Sequence, residues 1–126
     1  MTRKTILVID DDDGLREIIK LSLSTLAGWE VITAGSGKEG LSKAATEQPD
    51  AILLDMVLPE MDGLTIWREL AAKEATKHIP TIFLTASADV KEVKQLLSEG
   101  EIKAIAKPLT PDQLVSQIRK ILHWKE

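Results

Sequence analysis

Four consecutive aspartates, Asp10 to Asp13, follow the apolar run Ile6-Leu7-Val8-Ile9. A single aspartate, Asp55, follows Ala51-Ile52-Leu53-Leu54, and Lys107-Pro108 follows a third such stretch ending at Ala106. If these apolar runs are parallel strands of one open α/β sheet, their carboxyl ends lie together on the side where such sheets bind ligands. Carboxylates and an ammonium gathered there suit a divalent cation and a phosphoryl group. Hard cations take oxygen ligands, and phosphoryl transfer depends on positioning and charge neutralisation.

Each of these residues has a second, purely structural reading. Acidic residues at the start of a helix are favoured by capping and by the helix dipole, which accounts for Asp12 and Asp13; Asp13, ahead of Gly14-Leu15, is assigned mainly to that role. Asp10 and Asp11 are harder to explain in this way. Carboxylates at the mouth of a buried sheet repel each other and resist desolvation unless a cation or partner offsets them, and Mg²⁺ is the economical answer. Asp55 is the candidate nucleophile, since a carboxylate can attack phosphorus to give an acyl phosphate; the alternative is a strand-end Asp that caps a turn. Lys107 is a suitable point charge for a phosphate or else a solvated lysine. The Thr85 hydroxyl and the following Ala86 N–H are donors for phosphoryl oxygens, or Thr85 is an ordinary β-branched strand residue. What favours the chemical reading is joint placement at the ends of strands one, three, four and five.

The elements that must position them are well marked. Short apolar runs alternate five times with helical periodicity, giving strand candidates Thr5–Asp10, Glu30–Ala34, Ala51–Asp55, Thr81–Thr85 and Ile102–Ala106. Their near-continuous Ile/Leu/Val content fits parallel strands covered on both faces. Between them, amphipathic stripes are expected at Leu15, Ile18, Ile19 and Leu26, at Val90, Val93 and Leu97, and at Leu114, Ile118, Ile121 and Leu122. Helix starts are signalled by Ser36 with Glu39, Asp89 with Glu92, and Thr110 with Pro111 and Gln113; Asp62-Gly63 opens another helix, and Gly28 and Gly100 mark helix stops. Repeated β-α units with right-handed crossovers predict an α/β fold: a doubly wound, five-stranded parallel sheet flanked by five helices. Residues 1–126 are expected to form a single domain with no output domain in this chain.

Composition narrows the function classes. The chain has 126 residues, of which 44% are hydrophobic, enough for one core. It has no cysteine, so neither a disulfide framework nor thiolate chemistry is available. A net charge of −4 argues against direct binding of nucleic acid or an anionic membrane surface. No apolar run spans a bilayer and the N-terminal apolar stretch is too short for a signal peptide, so a cytoplasmic location is expected.

On Ile6-Leu7-Val8-Ile9-Asp10-Asp11, Asp55-Met56-Val57-Leu58-Pro59-Glu60-Met61-Asp62-Gly63, Leu84-Thr85-Ala86-Ser87 and Lys107-Pro108, the chain resembles a response regulator receiver domain of two-component signalling. The single-domain, chemotaxis-regulator kind is the nearest type, and the likeness covers essentially the whole chain. It implies a flavodoxin-like receiver fold and a phosphoacceptor role in a two-component or phosphorelay pathway. Asp55 would accept the phosphoryl group from a phosphohistidine on a sensor histidine kinase or histidine phosphotransfer domain. Asp11 and Asp55 would ligate Mg²⁺ directly and Asp10 mainly through water, with the Val57 carbonyl completing the protein ligands. Lys107 would pair with Asp55 or the phosphoryl oxygens, and Thr85 and the Ala86 N–H would bind the phosphoryl group. Such a protein is not an enzyme in the metabolic sense; it catalyses only its own phosphorylation and dephosphorylation. Kinase recognition is expected on the first helix and the loop after the fifth strand, around Gly14, Leu15, Ile18 and Leu109. The signal would leave by contact with a downstream protein, by phosphorelay, or by phosphorylation-dependent homodimerisation.

One departure matters. The family usually carries Tyr or Phe three residues before the lysine, where this chain has Ala104; it has no Tyr, and its one Phe is Phe83. The usual coupling between the threonine and that aromatic is therefore unavailable. Val57 and Ser87 are poor general bases, so no unusually fast loss of the phosphoryl group is expected. Two rivals stand beside this reading. Asp11-Asp12-Asp13-Gly14-Leu15 resembles the Asp-x-Asp motif of haloacid-dehalogenase-type phosphatases, and a pseudo-receiver would keep the fold as an interaction module. His78 and His123 read as solvent-facing and Trp67 as partial core. Trp29 is expected at a sheet end, and Trp124 either in a docking surface or in simple packing.

Overall fold

The computed structural model describes residues 3–56, 58, 62–85, 98, 102–106 and 110–124. Among the described residues, five strands and four helices follow in the order β1 (Thr5–Ile9), α1 (Asp13–Ala27), β2 (Glu30–Ala34), α2 (Gly37–Glu47), β3 (Ala51–Asp55), α3 (Gly63–Ala72), β4 (Thr81–Thr85), β5 (Lys103–Ala106) and α4 (Pro111–Leu122). The strands lie in the order β2-β1-β3-β4-β5 and every pair is parallel. This is the expected doubly wound α/β sheet. Four of the five expected helices fall among the described residues. The Val90, Val93 and Leu97 stripe, the Asp89–Glu92 start and the Gly100 stop lie outside them.

The strand sequences explain the layering. Successive side chains of a strand point to opposite faces, so a strand buried on both faces must be apolar at every position. Along β1, Leu7 and Ile9 enter one buried cluster with Ile52, Leu54, Ile66, Leu70 and Phe83. Ile6 and Val8 enter the other with Leu53, Leu84, Ile105, Ile19, Leu23 and Ile118. All four β1 residues from Ile6 to Ile9 are fully buried, as are Ile52, Leu53 and Leu54. Each such side chain contributes roughly 1.5–3 kcal/mol relative to exposure.

Helix α1 corrects one expectation. Its sequence carries more apolar residues than one face holds, and the buried ones are Ile19, Ser22 and Leu23, with Leu15 and Ala27 packed alongside. Ile18 is 59% exposed, Leu21 69% and Leu26 46%, so Ile18 and Leu26 do not belong to the inward stripe. Helix α4 follows the expected pattern: Leu114, Val115 and Ile118 are buried, with Ile121 and Leu122 packed against the same cluster. Its capping box is complete, Thr110 and Gln113 exchanging bonds of 3.0 and 3.2 Å. Gly28 ends α1 in the left-handed conformation (φ 73°), which only glycine adopts without steric cost.

Trp29 is buried at the start of β2, and Trp124 packs edge-on against it at 5.1 Å between ring centroids. Lys4 Nζ lies 5.1 Å from the Trp124 ring and the Arg119 guanidinium 5.6 Å from the Trp29 ring. Packing, not an open docking surface, is the role of Trp124. Trp67 is partly buried against the α3 side of the core, and His78 and His123 are exposed, as expected.

The start of α2 departs slightly from a standard capping box. Ser36 accepts from the Glu39 N–H at 3.2 Å, but the Glu39 carboxylate reaches one residue further back, accepting from the Gly35 N–H at 2.8 Å. Lys43 Nζ pairs with Glu39 at 3.1 Å and donates to the Thr33 carbonyl at 2.6 Å. The Gly35 N–H foremost, then Lys43, hold the Glu39 carboxyl below its ordinary value. A carboxyl with a lowered folded-state pKa stabilises the fold at pH values above the unfolded one, and that contribution is lost as pH falls through the folded value. Glu39→Gln is therefore expected to be less stable than the parent at neutral pH, with the gap closing on acidification below the Glu range. Urea melts across a pH series check this; a gap independent of pH would contradict it.

Candidate functional site

In the order β2-β1-β3-β4-β5 the chain leaves β1 toward one edge and returns past it to β3, so the switch point lies between β1 and β3. Asp10 and Asp55 sit at the carboxyl ends of these two strands. The register pairs Ile9 with Leu54, so Asp10 and Asp55 come next on neighbouring strands. Alternation turns both toward the face that holds Ile6, Val8 and Leu53. Asp10 is 1% exposed and Asp55 9%, while Asp11 is exposed. Carboxylate oxygens of Asp10, Asp11 and Asp55 all lie within 4.8 Å of one another.

That spacing fits a hard divalent cation. Oxygens around a six-coordinate ion with bonds of about 2.0–2.1 Å lie roughly 3–4 Å apart, and an all-carboxylate donor set is the kind such ions take. The backbone fixes the two strand ends. The Asp10 N–H donates to the Ala34 carbonyl at 3.1 Å, and the Met56 N–H to the Leu84 carbonyl at 3.1 Å. The Asp12 N–H donates to Asp10 Oδ1 at 2.9 Å.

The remaining two aspartates of the run are used differently. Asp12, not Asp13, is the N-cap of α1, its Oδ1 accepting from the Leu15 N–H at 3.1 Å. Asp13 is in the first turn and pairs with Arg16 Nη2. The second aspartate of the Asp-x-Asp phosphatase reading, Asp13, is therefore exposed and held by Arg16 at the helix start, whereas Asp11 groups with Asp10 and Asp55. Arg16 also donates through Nη1 to the Asp10 carbonyl at 2.6 Å. Sequence reasoning gave Arg16 no role; its i,i+3 spacing from Asp13 at the start of a helix was the available signal.

Thr85 ends β4 one residue beyond Leu84, the register partner of Asp55, and is buried at 4% exposure. Ala104 pairs in register with Phe83, is partly buried, and packs on the same cluster. Lys107, Ala86 and Val57, like Ser87 and Leu109, lie outside the described residues.

Comparison with known proteins agrees with this geometry. The model of the response regulator receiver domain matches residues 6–119. The chain belongs to the response regulator receiver family. The putative response regulator from Chloroflexus aurantiacus J-10-fl is similar in structure at TM-score 0.83 and 35% identity, the match covering 98% of this chain and 100% of that one. The receiver domain of sensor histidine kinase PA1611 from Pseudomonas aeruginosa PAO1, solved with magnesium coordinated in its active-site cleft, matches at TM-score 0.83 and 28% identity, over 98% of this receiver and 100% of that one. The probable transcriptional regulator ycf27 of Cyanophora paradoxa is 37% identical over all of this chain and 51% of its own length. This receiver spans about half the length of the curated relatives it matches. It is thus homologous to two-component response regulators, and its acidic pocket suits a phosphoacceptor. No helix among the described residues is long and apolar enough to cross a membrane.

Asp62 and Gly63 hold the loop end of β3 in place. Asp62 caps α3, accepting from the Thr65 N–H at 2.8 Å, and the Gly63 N–H donates to the Met56 carbonyl at 2.8 Å. A Cβ on Gly63 would lie 2.8 Å from both the Asp55 carbonyl oxygen and Met56 Cα. Those are backbone atoms and cannot swing aside. Gly63→Ala is expected to destabilise the fold by about 1–3 kcal/mol and to displace Asp55 from the cluster. Urea melts would register the first effect and calorimetric titration with Mg²⁺ the second; unchanged values in both would refute the close-contact reading.

Proposed function

We propose that Asp55 is the phosphoacceptor of a two-component or phosphorelay pathway, receiving its phosphoryl group from a histidine kinase or histidine phosphotransfer domain. The observation that carries this reading is the convergence of Asp10, Asp11 and Asp55 within 4.8 Å at the switch point. An Asp55 carboxylate oxygen bonds to phosphorus as the phosphorus–nitrogen bond to the donor histidine breaks, and the electron pair returns to the imidazole. Asp10, Asp11 and Asp55, with the Val57 carbonyl, are the residues that would hold Mg²⁺. When bound, the ion offsets the charge that builds up between acceptor carboxylate and phosphoryl group. The Thr85 hydroxyl donates to a phosphoryl oxygen, and Ala86 N–H and Lys107 supply the other contacts. The chain turns over no metabolite; it promotes its own phosphorylation and dephosphorylation and operates in the cytoplasm.

The exposed face of α1 suits the partner. Ile18 and Leu21 stand out on the helix that begins at Asp13, directly after the acidic run, and they offer an apolar strip to a histidine-bearing helix. The expected contacts at Gly14 and Leu15 adjoin that strip. With Ala104 beside β4, a phosphoryl group at Asp55 acts through movement of Thr85, without an aromatic side chain swinging inward. The signal then passes to a downstream protein, to a further histidine, or to a second copy of the chain.

Intact mass after incubation with Mg²⁺ and acetyl phosphate tests the proposal directly. One phosphoryl adduct is expected on the parent, none without the metal and none on Asp55→Asn. No adduct from either acetyl phosphate or phosphoramidate would favour the pseudo-receiver, and an adduct surviving in Asp55→Asn would move the nucleophile to the Asp10–Asp13 run.

A further inference from the structure

The Asp10–Asp13 run puts four carboxylates in a row, yet only Asp10 and Asp11 join Asp55 in the cluster. Two local bonds account for Asp12: its carboxylate caps α1 and its N–H holds Asp10 Oδ1. For Asp13 and for the Asp10 main chain, one side chain does the sorting. The Arg16 guanidinium uses Nη1 on the Asp10 carbonyl and Nη2 on the Asp13 carboxylate. Its side chain is 18% exposed against 88% for Asp13, so the arginine is the fixed member of the pair and draws the aspartate to itself. Gly35 leaves the space it occupies, for a Cβ there would come within 3.1 Å of Arg16 Nη1. On the far side of Gly35, Glu39 is bonded to the Gly35 N–H and feels the Arg16 charge.

We infer that Arg16 is a positioning residue that makes the acidic cluster selective for Mg²⁺ over Ca²⁺, by clamping the Asp10 carbonyl with one prong while the other holds Asp13. The inference rests on the reading of Asp10, Asp11 and Asp55 as cation ligands. The physical basis is the difference between the two ions. Mg²⁺ demands near-ideal octahedral geometry, whereas Ca²⁺ accepts six to eight oxygens at longer and more variable distances. A clamp that fixes where β1 stops fixes the directions of the Asp10 and Asp11 side chains. Losing it harms the ion that tolerates least distortion. Losing the arginine charge and releasing Asp13 has the opposite effect, because it strengthens attraction for both divalent ions alike. The ratio of the two affinities therefore separates positioning from charge, which neither affinity does alone.

Titration calorimetry of the full chain with Mg²⁺ alone and with Ca²⁺ alone, on the parent, Arg16→Gln and Arg16→Lys, provides the test. Arg16→Gln is expected to lower the Mg²⁺/Ca²⁺ affinity ratio about tenfold or more, the usual scale for loss of an outer-shell partner. Arg16→Lys keeps the charge but not the two-pronged fork, and its ratio is expected to fall as well. A ratio unchanged in Arg16→Gln, whether both affinities rise together or neither moves, would overturn the inference and leave the cation site standing. So would full recovery of the ratio by lysine. A parent that binds neither ion would overturn the cation reading itself and the inference with it. If Arg16→Gln does not fold, Asp13→Asn at its exposed position carries the same test, with a smaller drop in the ratio expected and an unchanged ratio overturning the role given to the pair.

Discussion

Everything at the site depends on the register of β1 against β3. Parallel pairing of Ile9 with Leu54 is what sets Asp10 beside Asp55 across the switch point. Sliding one strand by a single residue would turn every side chain to the opposite face, sending Ile6 and Val8 into the wrong layer and one carboxylate away from the other. Because both faces are buried and close-packed, that slip would force side chains of the wrong shape into each layer and turn the strand-end carboxylate toward the opposite one. The alternation that fills the two hydrophobic clusters and the convergence of the carboxylates are thus a single specification, enforced mainly by apolar packing.

Around that register, short-range bonds divide the labour of chemically identical residues. Four adjacent aspartates have the same intrinsic chemistry, yet one is buried, one faces the cluster, one caps a helix and one is held by an arginine. The helix dipole favours negative charge at the start of α1, so the run is tolerated there, while strand alternation decides that Asp10 turns inward and the capping bond takes up Asp12. Function in this chain is a matter of sorting like groups into unlike environments.

The elements were legible because parallel strands covered on both faces are almost uniformly apolar: β2, β3 and β4 have the expected limits, and β1 and β5 differ by one residue. Asp10, Asp11 and Asp55 were legible for the same reason, as charges standing where such runs stop. Helix α1 was harder. With Leu15, Ile18, Ile19, Leu21, Leu23 and Leu26 in one helix, periodicity admits several inward faces, and only packing against β1 and α4 selects Ile19 and Leu23. The choice of Asp12 over Asp13 as cap turns on where the first helical residue falls, an offset of one that composition does not encode. Arg16 and the reach of Glu39 to Gly35 are side-chain choices among several sterically open partners, and they become visible only in three dimensions.

The edge-on pair of Trp29 and Trp124 has an optical consequence. The chain has three tryptophans and no tyrosine, so its ultraviolet emission is that of indole alone. Two of the three indoles are in contact with one another, with Lys4 and Arg119 beside them, at the end of the sheet away from the carboxylates. The third, Trp67, lies in the other hydrophobic layer. The coupled pair gives the folded chain a near-ultraviolet circular dichroism signature that lapses when α4 undocks, whereas Trp67 follows the α3 side. The molecule carries two native optical reporters, one for each layer, with no label attached.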